Sequence, residues 1–254
     1  MIVWMMFSLI ACRSENKESS VVKEEWTSLF NGKDLTGWTP KISGYVYGDN
    51  HNNTFRVVDS LLTVSYENYD TFTDQFGHLF YEKPFSSYHL KLEYKFYGDQ
   101  APGGPQWAYR NNGIMFHSQE PSTMELNQAF PVCMELQFLG GNGQDDRSTG
   151  NLCTPGSNVH IDGSLVTDHC INSTSSTYHG DQWVSAELIV YADSIAHHII
   201  EGDTVFTYTH LQVGGGGEPD SYPDPEGTPM RSGYIAVQAE TAPTAFRKIM
   251  IREL

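Results

Sequence analysis

Positive charge is the scarcest ingredient of this chain. Its 254 residues hold 15 Lys and Arg against 31 Asp and Glu, a formal charge of −16. A field of that sign repels phosphate backbones and anionic lipid, so nucleic acid and a bare membrane surface are poor partners. A neutral substrate is not excluded. Helix-like hydrophobic periodicity is also scarce. No His-x-x-x-His pair and no closely spaced Cys/His set occurs, so spacing supplies no transition-metal site. The glycine run at residues 214–217 neither follows a strand nor opens a helix, which excludes a phosphate cradle. No internal repeat and no composition break divides the chain. Beyond residues 1–11, no run approaches the ~18 apolar residues of a membrane span.

What is abundant is turn and strand material: Gly 23, Tyr 14 and Phe 13. Residues 88–97 alternate cleanly, with Leu90, Leu92, Tyr94 and Phe96 on one side and His89, Lys91, Glu93 and Lys95 on the other. Further strands are expected at 55–65 (broken at Asp59 and Ser60), 113–117, 132–139, 183–191, 195–200, 205–208, 233–240 and 245–253. The stretch 140–177 reads as a long functional loop. Nine or more short strands with turn signals predict an all-β sandwich of two antiparallel sheets in a single domain, residues 26–254.

The N-terminus reads as a targeting segment. Residues 1–11 are apolar and uncharged, and Leu9-Ile10-Ala11-Cys12 has the form of a bacterial lipobox. Residues 1–11 are then a signal peptide. Cys12 is the lipidated residue, 12–25 a flexible tether, and the bacterial cell envelope (periplasmic or cell surface) the expected location. The anchor is the expected membrane contact. Cys133, Cys153 and Cys170 remain, an odd number that permits one disulfide. Cys153 and Cys170 lie in Gly/Ser/Thr-rich sequence and are the better candidates.

The most telling strand is residues 131–140. Met134, Leu136 and Phe138 alternate with Cys133, Glu135 and Gln137. One face is apolar; the other carries a carboxylate beside an amide, as the floor of a polar cleft would. Near the C-terminus Gln238 and Glu240 alternate in the same way with Val237 and Ala239.

Several pieces, in order, resemble the bacterial 3-keto-disaccharide hydrolase family. They are Phe30-Asn31-Gly32-Lys33-Asp34-Leu35-Thr36-Gly37-Trp38; Asn111-Asn112-Gly113-Ile114-Met115-Phe116; Cys133-Met134-Glu135-Leu136-Gln137; Thr149-Gly150-Asn151-Leu152; His198-Ile199-Ile200-Glu201-Gly202; and the ending from Gly233 to Ile249. The resemblance implies a concanavalin A-like jelly roll with a concave sugar-binding face, and a hydrolase or lyase acting on 3-keto-glycosides. His117 and Glu201 depart from it, standing where many members carry Arg and Asn.

Candidate site residues follow. Glu135 and His117 are the candidate bases. His117 is placed on the Met115 face, opposite Ile114 and Phe116. Gln137, Arg110, Asn112, His198, Gln238 and Glu240 are candidates for binding sugar hydroxyls, and Trp107 for stacking on a pyranose ring. His198, Arg110 or a bound cation would hold an oxyanion. The loop Gly143-Gln144-Asp145-Asp146 offers carboxylates and carbonyls to a divalent cation such as calcium, and no other cofactor is expected. Two other readings stay open: a conventional glycosidase using Glu135 and Glu240, or a non-catalytic carbohydrate-binding lipoprotein.

Overall fold

A computed structural model describes residues 25–215, 219 and 222–254. Cys12 and the proposed signal and tether lie outside the described residues, apart from residue 25. In chain order the strands are β1 (Thr27–Ser28), β2 (Trp38–Ile42), β3 (Phe55–Val58), β4 (Leu61–Val64), β5 (Gly77–Tyr81), β6 (Ser87–Phe96), β7 (Asn111–Ser118), β8 (Met134–Leu139) and β9 (Asn151–Cys153). Then follow β10 (Ser157–Ile161), β11 (Ser164–Val166), β12 (Cys170–Ile171), β13 (Val184–Tyr191), β14 (Ile195–Ile200), β15 (Asp203–Val213), β16 (Tyr234–Ala239) and β17 (Thr244–Glu253). The only helical pieces among the described residues are three short 3-10 turns.

The strands form two antiparallel sheets. One is ten-stranded, in the order β11-β10-β15-β14-β13-β6-β17-β4-β3, with β1 added alongside β17. The other is seven-stranded, in the order β12-β9-β8-β7-β16-β5-β2. The all-β jelly-roll sandwich expected from the alternation is the observed fold. The stretch 140–177 is a departure: it holds β9 to β12. Those strands are only two to five residues long, too short for alternation to reveal them.

Alternation dictates the packing. Leu90, Leu92, Tyr94 and Phe96 of β6 meet Met134, Leu136 and Phe138 of β8 in one core between the sheets. Tyr94 stacks on Phe138 with ring centroids 4.0 Å apart. Each such side chain, fully buried, contributes roughly 1.5–3 kcal/mol. The outer face of the seven-stranded sheet is not bare. Met124, from segment 119–133, packs on Phe80, Met115, Cys133 and Ala236 in a second apolar cluster.

Cys153 and Cys170 form a disulfide that clamps β12 to β9. Cys133 is free and buried. The bridge closes a 17-residue separation, so its removal is expected to lower stability by about 3 kcal/mol. Urea unfolding with and without a reductant measures this. An unchanged midpoint would show that the clamp constrains nothing.

Candidate active site

Six strands of the seven-stranded sheet project side chains away from the core, and register decides which ones meet. Glu135 lies opposite Met115, and Gln137 opposite Gly113. Val237 pairs with Ile114, which sets Gln238 beside Gly113. Gln238 is directly opposite His78, and His78 opposite Lys41. A polar strip therefore crosses the sheet from Asn151 and Gln137, through the gap at Gly113, to Gln238, His78 and Lys41.

Gly113 matters because it has no side chain. A Cβ there would collide with the Glu135 carboxyl, coming within 2.8 Å of its Cγ and 3.0 Å of its Cδ. The glycine lets Glu135 lie flat across β7 toward β16. A hollow of about 290 Å³ opens at this point, lined by Glu135, Glu240, Asn111, Gln137, Trp107 and Phe130, with Pro155, His169 and the disulfide closing one side. Trp107 is 56% exposed and stacks on Phe76 at 5.9 Å. It is shared with a broader groove of about 900 Å³ that runs on to Tyr109, Asn142, Asp145 and Arg147.

Electrostatics single out the two acids. Both are buried. Glu135 Oε1 and Glu240 Oε2 have no hydrogen-bond partner. No ion pair among the described residues reaches either carboxyl. Burial without a countercharge disfavours the carboxylate. It pushes Glu135 up to about 8. Glu240 is raised well above the usual range, first by burial and then by the charge of Glu135. Such a pair retains a proton at neutral pH, so one carboxyl can accept a proton while the other donates one. The nearby Cys133 thiol is raised by burial and by Glu135, so it is inert.

The other sequence candidates divide sharply. Gln137 accepts a hydrogen bond from Asn151 at 3.1 Å and lines the hollow. Gln238 is fully buried beside it, with neither amide atom partnered. His117 is a correction. It has a positive φ of 46°, in a bulge where β7 carries an extra residue against β16. The bulge breaks the alternation and turns the ring off the Met115 face. It packs on core Tyr88 and bonds the Ala192 carbonyl of the opposite sheet at 3.1 Å. Burial holds it down to about 4. His117 is therefore no base for the Glu135 hollow.

Asn112 and His198 also face inward. Asn112 shares the Ile114 side of β7; it donates to the Gln238 carbonyl of neighbouring β16 at 2.8 Å and to the Thr244 hydroxyl of the opposite sheet at 3.3 Å, so it ties sheet to sheet. His198 sits between the sheets, bonded to the Gly150 carbonyl at 2.9 Å and the Tyr208 hydroxyl at 2.8 Å, and burial lowers it to about 4. Arg110 is turned to the Gly180 carbonyl and Asp181. None of these three is placed to hold an oxyanion in the hollow. In the loop suggested for a cation, Asp145 accepts from Asn142 at 2.8 Å. Among the described residues no group of three or more His, Cys, Asp or Glu could hold a metal ion.

Sequence reasoning missed Asn111, His78, Lys41 and Phe130. Asn111 was masked by its neighbour: with the strand beginning at Asn111, parity puts Asn111 outward and Asn112 inward. His78 lies on β5, a five-residue strand buried on both faces that shows no alternation.

The chain is thus a two-sheet jelly roll with a buried acid pair, amides and an aromatic rim on one sheet face. Residues 25–252 match the 3-keto-α-glucoside-1,2-lyase-like domain, and the chain belongs to that family. The fold is similar to two crystal structures of candidate glycosyl hydrolases from Parabacteroides distasonis. The first is 20% identical with a TM-score of 0.57, over 91% of this chain and 95% of that one. The second is 15% identical with a TM-score of 0.52, over 91% and 100%. A Bacillus subtilis protein of unknown function with a galectin-like fold is 11% identical, with a TM-score of 0.52 over 90% and 94%. No curated protein matches the chain.

Proposed function

We propose that the chain is an enzyme that cleaves 3-keto-glycosides by elimination. Membership of the 3-keto-α-glucoside-1,2-lyase-like family supports this substrate class. The observation that carries the mechanism is the buried, uncompensated pair Glu135 and Glu240 on one wall of the hollow. A ketone at C3 acidifies the proton on C2. Glu135, as carboxylate, takes that proton, and the C2–H electron pair forms an enolate whose charge rests on the ketone oxygen. The enolate collapses to form the C1–C2 double bond, the C1–O bond breaks, and the leaving oxygen takes a proton from Glu240. Addition of water across C1–C2 then gives the free keto-sugar. One base and one acid suffice, with no displacement at C1. Trp107 offers a flat apolar surface to a sugar ring.

The test is a pair of substrates. Release of the leaving group from a 3-keto-α-glucoside, with none from the parent nitrophenyl α-glucoside, is the expected result. The reverse preference would assign the same two carboxylates to a conventional glycosidase. Affinity for both without product would leave a binding protein. A second expectation concerns position alone: Gly113→Ala pushes the Glu135 carboxyl off β7, and a displacement of about 1 Å lowers kcat/KM on the keto-substrate roughly 10²-fold. Unchanged kinetics would remove Glu135 from the chemistry.

The lipobox-like stretch ending at Cys12 supports a place for the enzyme in the bacterial envelope. The disulfide suits that oxidising setting. A Cys12→Ser variant is expected in the soluble fraction; recovery with membranes would remove the anchor from this reading.

A further inference from the structure

The elimination leaves one requirement unassigned: something must hold the negative charge that develops on the ketone oxygen. Two side chains beyond the open hollow have no evident structural task. His78 and Gln238 are both fully buried. Neither ring nitrogen of His78 has a partner, and neither amide atom of Gln238 has one. They stand directly opposite each other on β5 and β16, on the face that carries Glu135. Four adjacent orphan donors and acceptors are not what a packed interior tolerates, since buried polar groups are almost always satisfied. They fit a ligand that both donates and accepts hydrogen bonds.

The surroundings narrow the ligand. Glu135 lies across Gly113, so Gln238 is the next side chain over and His78 the one after it. Beyond His78, opposite it on β2, is the buried Lys41, whose ammonium donates to the Leu126 carbonyl at 3.0 Å and the Ile42 carbonyl at 3.2 Å. This end of the strip is thus positive while the Glu135 and Glu240 end is acidic. Burial, together with the Lys41 charge, holds His78 neutral, down to about 3. A neutral imidazole keeps one N–H to donate. What separates the pair from the hollow is Phe130. Its ring lines the hollow and meets His78 edge-on at 5.8 Å and Phe76 at 5.1 Å.

We propose that His78 and Gln238 are the oxyanion-holding residues of the site, reached when the Phe130 ring swings aside, and backed by Lys41. The assignment rests on the elimination reading above. The His78 N–H and a Gln238 amide N–H donate to the ketone oxygen of a 3-keto-pyranose. The remaining ring nitrogen and amide oxygen accept from neighbouring ring hydroxyls. No proton is transferred at this end. Proton removal stays with Glu135, whose carboxyl lies over Gly113 of the intervening strand.

The first test is direct. In wild-type protein with 15N-labelled histidine, titration with 3-keto-glucose (a product, with no leaving group to lose) is expected to shift the His78 ring resonances in a saturable way. Those of His89, on the other sheet, stay fixed. His78→Leu and Gln238→Leu are each expected to lower kcat on a 3-keto-glucoside about 10²-fold or more, with KM changed far less. His78→Asn, which keeps a donor, recovers part of the loss. A His78 signal unmoved at keto-sugar concentrations that saturate turnover overturns the assignment. So does wild-type kcat in a folded His78→Leu variant. The two readings fail separately. A wild type that releases nothing from any 3-keto-glucoside counts against the elimination, whereas brisk turnover with an indifferent His78 counts only against the oxyanion role.

Discussion

Glu135→Gln is expected to lower kcat/KM on a 3-keto-glucoside by about 10³-fold without unfolding the protein. The substitution keeps the size and planarity of the side chain, so it still lies across Gly113. It removes only the ability to take a proton. No cation is left unpaired by the change, because no ion pair reaches Glu135 among the described residues. That separates the chemical role from a structural one: a residue that merely oriented an Arg or Lys would leave a stranded charge and a destabilised fold. Steady-state kinetics with circular dichroism of the variant decides it. Activity within about threefold of wild type would move the base to Glu240 and reverse the two roles. Glu240→Gln is the companion measurement, since loss of the proton donor slows departure of a poor leaving group more than that of a nitrophenolate.

The second large effect is on stability. Glu135 is ionised above 4.5 when the chain is unfolded, yet in the native state burial keeps it protonated up to about 8. Between those values the native state binds the extra proton, so stability falls as pH rises through this window. Over the whole interval, at about 1.36 kcal/mol per pH unit, the loss is on the order of 5 kcal/mol. Glu240, raised by burial and by Glu135, adds to the same slope. The direction is opposite to that of a salt-bridged carboxylate. Urea midpoints at pH 5 and pH 8.5 are expected to drop steeply for wild type and much less for Glu135→Gln. A wild type equally stable at both would mean that the carboxyl is solvated or paired in solution. The kinetic counterpart has the same origin: kcat/KM is expected to rise toward pH 8, because the base works only once ionised.

The fold was largely legible because long strands carry period-two patterns. β6, β8 and β13 could each be read from six or more residues of alternation. The acid face of β8 followed from the same parity. The errors came where parity breaks or has no length to act. One extra residue in β7 turned His117 from the cleft to the core. β7 starts at Asn111, two residues before the expected 113, and its parity carried back to those residues sets Asn111 outward and Asn112 inward. β5 pairs His78 with Gln238 across 160 residues of sequence, and no local pattern announces such a neighbour. Phe130 and Met124 reach the sheet from a segment without strand character, so their contact with it is purely tertiary.

Trp26 carries a last consequence. Its ring rests on His89, Lys91 and Arg252, all on the outward side of the ten-stranded sheet, and Thr27 pairs there with Ile251. The polypeptide thus joins the sandwich at the back, behind the layer that bears the acids. Were the molecule moored through its leading end, the hollow that holds the two acids would look away from the mooring and toward whatever diffuses past.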